Sequence, residues 1–372
     1  MKVIVSAAGT GGHINPAIAI ANKIKEKEPD SKIIFIGTNR GLENDLVPRA
    51  GYELKTIEAY GLKKEISFSN IKHIFQTIRS TKEVKKIIDE FKPDLVLGTG
   101  GYICGPVFSA AISRKIPTVL HESNAYPGKA VKMFSKDVDL VLTGFEEAKN
   151  RLISCKKVVT TGTPTKIRKV EISENRKKEI LKGLGIKNDL PIVLIFGGSQ
   201  GAKAINDAVF DLILKKSNKD YQIIWAAGPK QYDDIKENFE KENIYLNHLT
   251  NVKILPYIYN MEEMMNIADL LVARSGAMTI TEVAIVGKPA IFIPLPSMSA
   301  NRQEDNARVL EKIGAAKIIL NKDITSERLS EEINEIILKK SELEEMGRLA
   351  NSIAPSDVEE KIYKEIYSLV KG

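Results

Sequence analysis

His13 closes the run Gly9-Thr10-Gly11-Gly12-His13. A histidine just after a glycine turn, at the start of a helix, can act as base or hydrogen-bond donor near neutral pH. A capping or packing role is the alternative for the same ring. Two further turns could meet an anion. Arg274-Ser275-Gly276-Ala277 joins the apolar strand Leu270–Ala273 to a short helix from about Met278 to Val286. Such a turn presents backbone N–H groups and the positive end of a helix dipole, which suits a diphosphate. Glu282, one to two turns into that helix, could accept both hydroxyls of a ribose.

Gly197-Gly198-Ser199-Gln200-Gly201 offers amides and a hydroxyl to a phosphate, but it also matches the nucleophile elbow of an α/β-hydrolase. A hydrolase needs an acid and then a histidine after the serine. The histidine that follows, His248, precedes at least three more strands, and the elbow follows the first strand of its domain. Both placements count against a hydrolase. The first glycine turn lacks GxGxxG spacing, and the second strand closes in Ile36-Gly37-Thr38 without an acid, so no nicotinamide or flavin cofactor is indicated.

Gly98-Thr99-Gly100-Gly101-Tyr102 and His121-Glu122-Ser123-Asn124 each end a strand. Ligands of open α/β sheets collect at the carboxyl ends of strands, so both stretches join His13 at one wall. Glu122 and His121 could equally be structural partners. Asp137-Val138-Asp139 resembles a metal-binding pair but opens a strand, where a charged lead-in is the simpler reading; no metal is expected.

The elements that must position these residues alternate regularly. Strands at Lys2–Ala7, Ile33–Gly37, Asp94–Gly98, Pro117–His121 and Leu140–Thr143 are separated by helical stretches, with Pro16 near the first turn of a helix from about Asn15 to Lys27. The pattern restarts at Pro191–Phe196 and continues through Gln222–Ala226, Lys253–Leu255, Leu270–Ala273 and Ala290–Leu295. Two α/β domains with parallel sheets follow, divided near Gly162-Thr163-Pro164 into 1–163 and 164–354. From Pro355 the end reads as an amphipathic helix, with Val358, Ile362, Ile366 and Leu369 near a 3.6-residue period.

Composition narrows the class further. No apolar run approaches the roughly 18 residues of a membrane span, and the glycine turn interrupts any signal-peptide pattern at the start. Cys104 and Cys155 form no CxxC, and a cytoplasmic protein fits. Of the net charge of +7, residues 1–163 hold +8 (25 Lys and Arg against 17 Asp and Glu) and the remainder −1. The surplus could favour an anionic surface or substrate. In Leu62–Lys86, Ile71, Ile74, Phe75 and Ile78 share a helical stripe flanked by Lys63, Lys64, Lys72, Arg79 and Lys82, as in a helix lying on an anionic bilayer or in an ordinary packed helix.

Taken together, GTGGH at Gly9–His13, GTGGY at Gly98–Tyr102, HESN at His121–Asn124, GGSQGA at Gly197–Ala202, RSGAMTITE at Arg274–Glu282 and NRQEDNA at Asn301–Ala307 resemble the MurG family over almost the full length. These bacterial glycosyltransferases add N-acetylglucosamine to lipid I, giving lipid II for peptidoglycan. The resemblance implies a GT-B fold, with two Rossmann-like domains facing across a cleft and the last helix, about 355–372, crossing back to the first. It implies UDP-N-acetylglucosamine as donor, with Ile258 backbone groups at uracil, Glu282 at the ribose, and Ser199 with Ala277, Met278 and Thr279 at the diphosphate. Gln303 and Asn124 would hold the sugar, and Thr10, Gly11 and Gly12 would close over it. His13 and Glu122 carry over as catalytic candidates, either of which could be the base.

The acceptor implied is the 4-hydroxyl of the N-acetylmuramic acid of lipid I, attacked with inversion at the cytoplasmic face of the cell membrane. Neither cofactor nor nucleic acid is implied. Lys166 stands where relatives commonly have arginine and cannot offer a planar fork, for which Arg168 could compensate. Asn301 opens the glutamine loop where aspartate is common. A related GT-B enzyme, such as a diacylglycerol glycosyltransferase or a nucleotide-sugar epimerase, is the alternative.

Overall fold

The computed structural model describes residues 1–60, 68–186, 190–296 and 302–372; the side chains of 68–75 fall outside that description. The chain forms two compact units, Met1–Thr165 with Pro355–Gly372, and Lys166–Ala354. In the first, β1 (Lys2–Ser6), α1 (Gly11–Lys27), β2 (Lys32–Gly37), α2 (Glu43–Arg49), β3 (Glu53–Thr56), α3 (Phe68–Phe91), β4 (Leu95–Gly98) and α4 (Cys104–Ser113) come in order. They are followed by β5 (Thr118–Glu122), α5 (Lys129–Phe134), β6 (Leu140–Thr143), α6 (Glu146–Lys149) and β7 (Val158–Thr160).

The second unit contains α7 (Glu174–Leu184), β8 (Ile192–Phe196), α8 (Lys203–Leu214), β9 (Gln222–Ala226), α9 (Tyr232–Lys241), β10 (Val252–Leu255), α10 (Met261–Ile267) and β11 (Leu270–Ala273). It continues with α11 (Ala277–Val286), β12 (Ala290–Phe292), α12 (Arg302–Lys312), β13 (Ala316–Ile318), α13 (Ser326–Ile337) and α14 (Lys340–Ser352); α15 (Val358–Lys371) belongs to the first unit.

Among the described residues the first sheet runs β3-β2-β1-β4-β5-β6-β7 and the second β10-β9-β8-β11-β12-β13, all pairs parallel. Both orders reverse beside their first strand, between β1 and β4 and between β8 and β11. Loops leaving the two strands at such a reversal part to opposite faces and open a crevice at the carboxyl ends. The central strands are buried along nearly their whole length, which their Val-, Ile- and Leu-rich runs require when helices cover both faces.

On α1, Ile14, Ala17, Ile18, Ala21 and Ile24 are buried at helical spacing, and Val358, Ile362 and Ile366 of α15 join the same cluster. Each buried isoleucine contributes about 1.5–3 kcal/mol relative to leaving it exposed.

Two details differ from the sequence expectation. α1 begins at Gly11, so Pro16 lies inside the helix and the glycine turn itself forms the first helical turn. Three strands, β3, β7 and β13, were not expected. Each is a sheet edge of three or four residues, mostly half-buried or exposed, and so lacks the continuous apolar run that marks a central strand.

Candidate active site

In the first unit the residues converge at the reversal between β1 and β4. The His13 ring places Nδ1 2.7 Å from the Thr99 carbonyl oxygen, and Thr99 Oγ1 donates to the His13 carbonyl at 2.8 Å. A carbonyl can only accept, so Nδ1 carries a proton, and whenever the ring is neutral the lone pair lies on Nε2. The second glycine turn explains itself against this ring. Gly100 and Gly101 have φ of +97° and +84°, and a Cβ on Gly100 would stand 3.1 Å from His13 Cε1. The two GTGG runs thus form one structure, in which the turn after β4 is the bed for the histidine after β1.

Glu122 ends β5, the next strand over, and is buried. Its Oε1 accepts the Asn124 backbone N–H and side-chain amide, both at 2.8 Å, and its Oε2 accepts the Gly128 N–H at 2.5 Å. The carboxylate therefore holds its own loop together, while the Thr99 carbonyl holds Nδ1 of the His13 ring. Asn124 is consequently fixed by Glu122 through both backbone and side chain. Cys104 packs beneath, and burial pushes its thiol up to about 11, so it stays protonated at neutral pH.

His121 has a different role from His13. It is fully buried, its Nε2 lies 3.1 Å from the Gly162 carbonyl, and Ser123 Oγ lies 3.4 Å from its Nδ1. Burial brings its pKa down to about 4 from an ordinary 6.5, against the raising effect of the Gly162 carbonyl. The unfolded chain therefore takes up a proton at this histidine below about pH 6.5, while the folded chain does so only near pH 4. Stability must fall across that window by roughly 3 kcal/mol, at about 1.4 kcal/mol per pH step. Denaturant titrations at several pH values should show this slope in the parent and lose it in His121→Gln, which retains a donor for Gly162. An equal slope in both would contradict a buried neutral His121.

The second unit holds a pocket of about 670 Å³ at the reversal between β8 and β11, lined among others by Gly198, Gly201, Lys203, Arg274, Thr279 and Gln303. The glycine turn after β8 is shaped by close approach: Gly201 has φ +76°, and a Cβ there would stand 2.1 Å from the Ala227 carbonyl oxygen. Asn206 on α8 fixes the neighbouring loop, donating to that carbonyl at 2.7 Å and accepting from Trp225 Nε1 at 3.0 Å. Opposite, α11 begins at Ala277 and Met278, whose N–H groups belong to the unpaired first turn of a helix. Gln303 Oε1 accepts the Leu295 N–H at 2.9 Å, tying the loop after β12 to α12. Asn306, buried one turn further on, donates to the Ser275 carbonyl at 3.2 Å.

Of the residues expected from sequence, Thr279 and Gln303 line this pocket directly. Ser199 is exposed within the turn, between Gly198 and Gly201. Glu282 follows Thr279 by one helical turn and is half-buried, and Ile258 is buried in the loop after β10. Lys166 is exposed and is not part of the lining, and Arg168 donates its backbone N–H to Glu262 at 2.9 Å. Asn301 lies outside the described residues. Thr10 and Gly12 are exposed and Gly11 half-buried at the start of α1.

The sequence reading missed Lys203, Asp207 and Asn321 among the polar lining residues, and it read the turn at Arg274 for its backbone and not for its side chain. Arg274 donates to the Ile293 and Pro294 carbonyls at 2.9 and 3.2 Å, Lys203 pairs with both oxygens of Asp207 at 2.8 Å, and Asn321 follows β13. Arg274 and Lys203 could have been found, since each is the charged residue next to a small-residue turn. Asp207 lines the pocket as well and neutralises Lys203, so Arg274 leaves the charged lining with one net positive charge, which favours a phosphate.

The hydrolase alternative finds no support. Among the described residues Ser199 has no hydrogen bond to a histidine or acid, and His248 sits edge-on to Tyr245, with ring centroids 5.7 Å apart. Asp139 of the DxD run accepts from Thr118 N and Oγ1 at 3.0 Å and from Lys156 at 2.9 Å, a strand-start contact.

Two Rossmann-like units, each with its loops gathered at a sheet reversal, define the GT-B class of nucleotide-sugar enzymes. The N-terminal domain model of glycosyltransferase family 28 matches residues 3–143 and its C-terminal domain model residues 192–362, and the chain belongs to that family. It is 44% identical over 100% of its length to the UDP-N-acetylglucosamine–N-acetylmuramyl-(pentapeptide) pyrophosphoryl-undecaprenol N-acetylglucosamine transferase of Acetivibrio thermocellus, covering 99% of that protein. The enzyme of the same name from Thermoanaerobacter pseudethanolicus is 43% identical, over 99% of this chain and 100% of the relative. Among solved structures, Acinetobacter baumannii MurG superposes with a TM-score of 0.77 at 28% identity over 99% of both chains. The Neisseria meningitidis UDP-GlcNAc 2-epimerase shares the fold at 17% identity, with a TM-score of 0.67 over 99% of this chain and 100% of that one.

Proposed function

We propose that this chain transfers N-acetylglucosamine from UDP-N-acetylglucosamine to the 4-hydroxyl of the N-acetylmuramic acid of undecaprenyl-pyrophosphoryl-MurNAc-pentapeptide, with inversion. The observation that carries this reading is the full-length identity of 38–44% to enzymes named for that transfer. The chemistry fits the residues. An alcohol is a weak nucleophile until its proton is drawn away, and Nε2 of His13, fixed as the acceptor nitrogen by Thr99, can take it. As the acceptor oxygen bonds to the anomeric carbon, the bond from that carbon to the diphosphate breaks and UDP leaves with the electron pair. The leaving charge is met by the first turn of α11, the amides after β8, and the cations Arg274 and Lys203. Ser199, Ala277, Met278 and Thr279 contact the diphosphate in this assignment, Glu282 the ribose, Ile258 the uracil, and Gln303 and Asn124 the sugar.

The same reading places the enzyme peripherally on the cytoplasmic face of the membrane, where its lipid-linked acceptor lies. Among the described residues no helix is long and apolar enough to cross a bilayer. The charge surplus of the first 163 residues supports an anionic surface as partner. So does α3, where Ile78 is 51% exposed beside exposed Arg79 and Lys82; the stripe positions Ile71, Ile74 and Phe75 lie outside the described side chains.

The test supplies UDP-N-acetylglucosamine with a synthetic lipid-linked MurNAc-pentapeptide and follows UDP release against disaccharide formed. Equal amounts are expected. Conversion of the donor to its 2-epimer without acceptor would instead favour the epimerases that share the fold. Vesicle binding should rise with anionic lipid and fall with salt, at about 1 kcal/mol per basic residue near the surface. Equal binding to neutral and anionic vesicles would contradict the membrane assignment.

A further inference from the structure

Glu43 opens α2 and is fully buried, yet among the described residues it makes no ion pair. Its charge is met by dipoles alone. Oε2 accepts the Gly9 N–H at 2.9 Å, and Oε1 accepts the Thr38 N–H at 2.9 Å and the Thr38 hydroxyl at 2.7 Å. Burial by itself would raise its pKa, but these hydrogen bonds outweigh it and hold the carboxyl below the ordinary value, so it is ionised at neutral pH. The backbone makes room for it: a Cβ on Gly41 would stand 1.9 Å from Oε2, and one on Gly37 2.7 Å from Cγ.

Burying a charge without a cation is costly, and an apolar residue on α2 would fill this space more cheaply. What the carboxylate provides is a grip on Gly9. That residue has φ +94° and is the first of the turn that runs through Thr10, Gly11 and Gly12 to His13. On its other side the turn is held by Thr99, bonded to His13 through both ring and carbonyl. The glycine turn is therefore clamped between α2 and the loop after β4.

We propose that Glu43 is a positioning residue of the transfer reaction, holding the turn through Gly9 so that His13 presents Nε2 to the acceptor hydroxyl. This rests on His13 as the base. A glutamine of the same shape cannot replace it, because its amide must turn N–H groups toward either Gly9 or Thr38, and both backbone groups are donors.

The test uses the full chain and four variants under one transfer assay with calorimetric UDP binding. Glu43→Gln should lower kcat by about 10²-fold, the scale of a misplaced catalytic group, with UDP affinity unchanged. Val47→Ala, a cavity in the same helix that leaves Gly9 untouched, should lower stability and keep kcat. Adding Glu43→Gln to His13→Ala should slow the enzyme no further than His13→Ala alone, since the two act as a unit. Normal kcat in a folded Glu43→Gln variant, or independent losses in the double variant, would overturn the inference while leaving His13 as base. Normal kcat in His13→Ala would overturn the base assignment itself. Should Glu43→Gln fail to fold, Gly41→Ala displaces the carboxylate while keeping its charge; the same loss of kcat is expected, and normal kcat would overturn the inference.

Discussion

Replacing His13 with alanine is expected to lower turnover by roughly 10²–10⁴, the usual weight of general base catalysis, with UDP bound as tightly as before. The size follows from what the ring alone supplies. Its Nδ1 proton is committed to the Thr99 carbonyl, so the proposed base is Nε2, and alanine puts no acceptor in its place. The unchanged UDP affinity follows because the proposed contacts to the nucleotide and diphosphate all lie in the second unit, around the pocket after β8 and β11. UDP release rates and calorimetric UDP affinity on the same preparation check both halves. Full turnover would place the base elsewhere, and lost UDP affinity would move His13 into the donor site.

Glu122→Ala should act chiefly on the fold. The substitution strips partners from the Asn124 N–H, the Asn124 amide and the Gly128 N–H. Leaving a donor unmade costs about 1–3 kcal/mol where water cannot reach it, and since all three are only partly buried and water reaches some of them in the variant, a loss of about 2–5 kcal/mol is expected. The denaturation midpoint should fall markedly. At temperatures where the variant stays folded, turnover should fall less than in His13→Ala, with a weakened donor KM because Asn124 is released. A stably folded but inactive Glu122→Ala protein, beside an active His13→Ala protein, would exchange the two roles.

The contrast between these two residues shows how far the sequence could be read. Both stood out as polar groups ending strands of one sheet, and parallel pairing does bring their loops to one edge. The different roles proposed for them rest on hydrogen bonds that composition cannot reveal. Thr99 is an ordinary residue of a glycine turn until its carbonyl meets a ring 86 positions away. Glu43 gave no signal, because nothing in Gly41-Leu42-Glu43 says that its carboxylate turns inward to the backbone of Gly9. The central strands and the amphipathic character of α15 were legible because buried faces impose apolar periodicity, whereas the return of α15 to the first unit was implied only by the family resemblance. The edge strands β3, β7 and β13 were not, because a half-exposed strand of three or four residues carries little of it.

The central claim is that His13 activates the acceptor hydroxyl for a single direct displacement of UDP. It is tested most directly by the configuration of the new linkage, read from the anomeric proton coupling of the disaccharide formed from α-linked UDP-N-acetylglucosamine and a lipid-linked MurNAc-pentapeptide. Direct attack predicts a β-linked product in the parent protein, and His13→Ala should yield the same anomer only slowly. An α-linked product would contradict the account, because a single in-line displacement by the activated hydroxyl inverts the anomeric carbon.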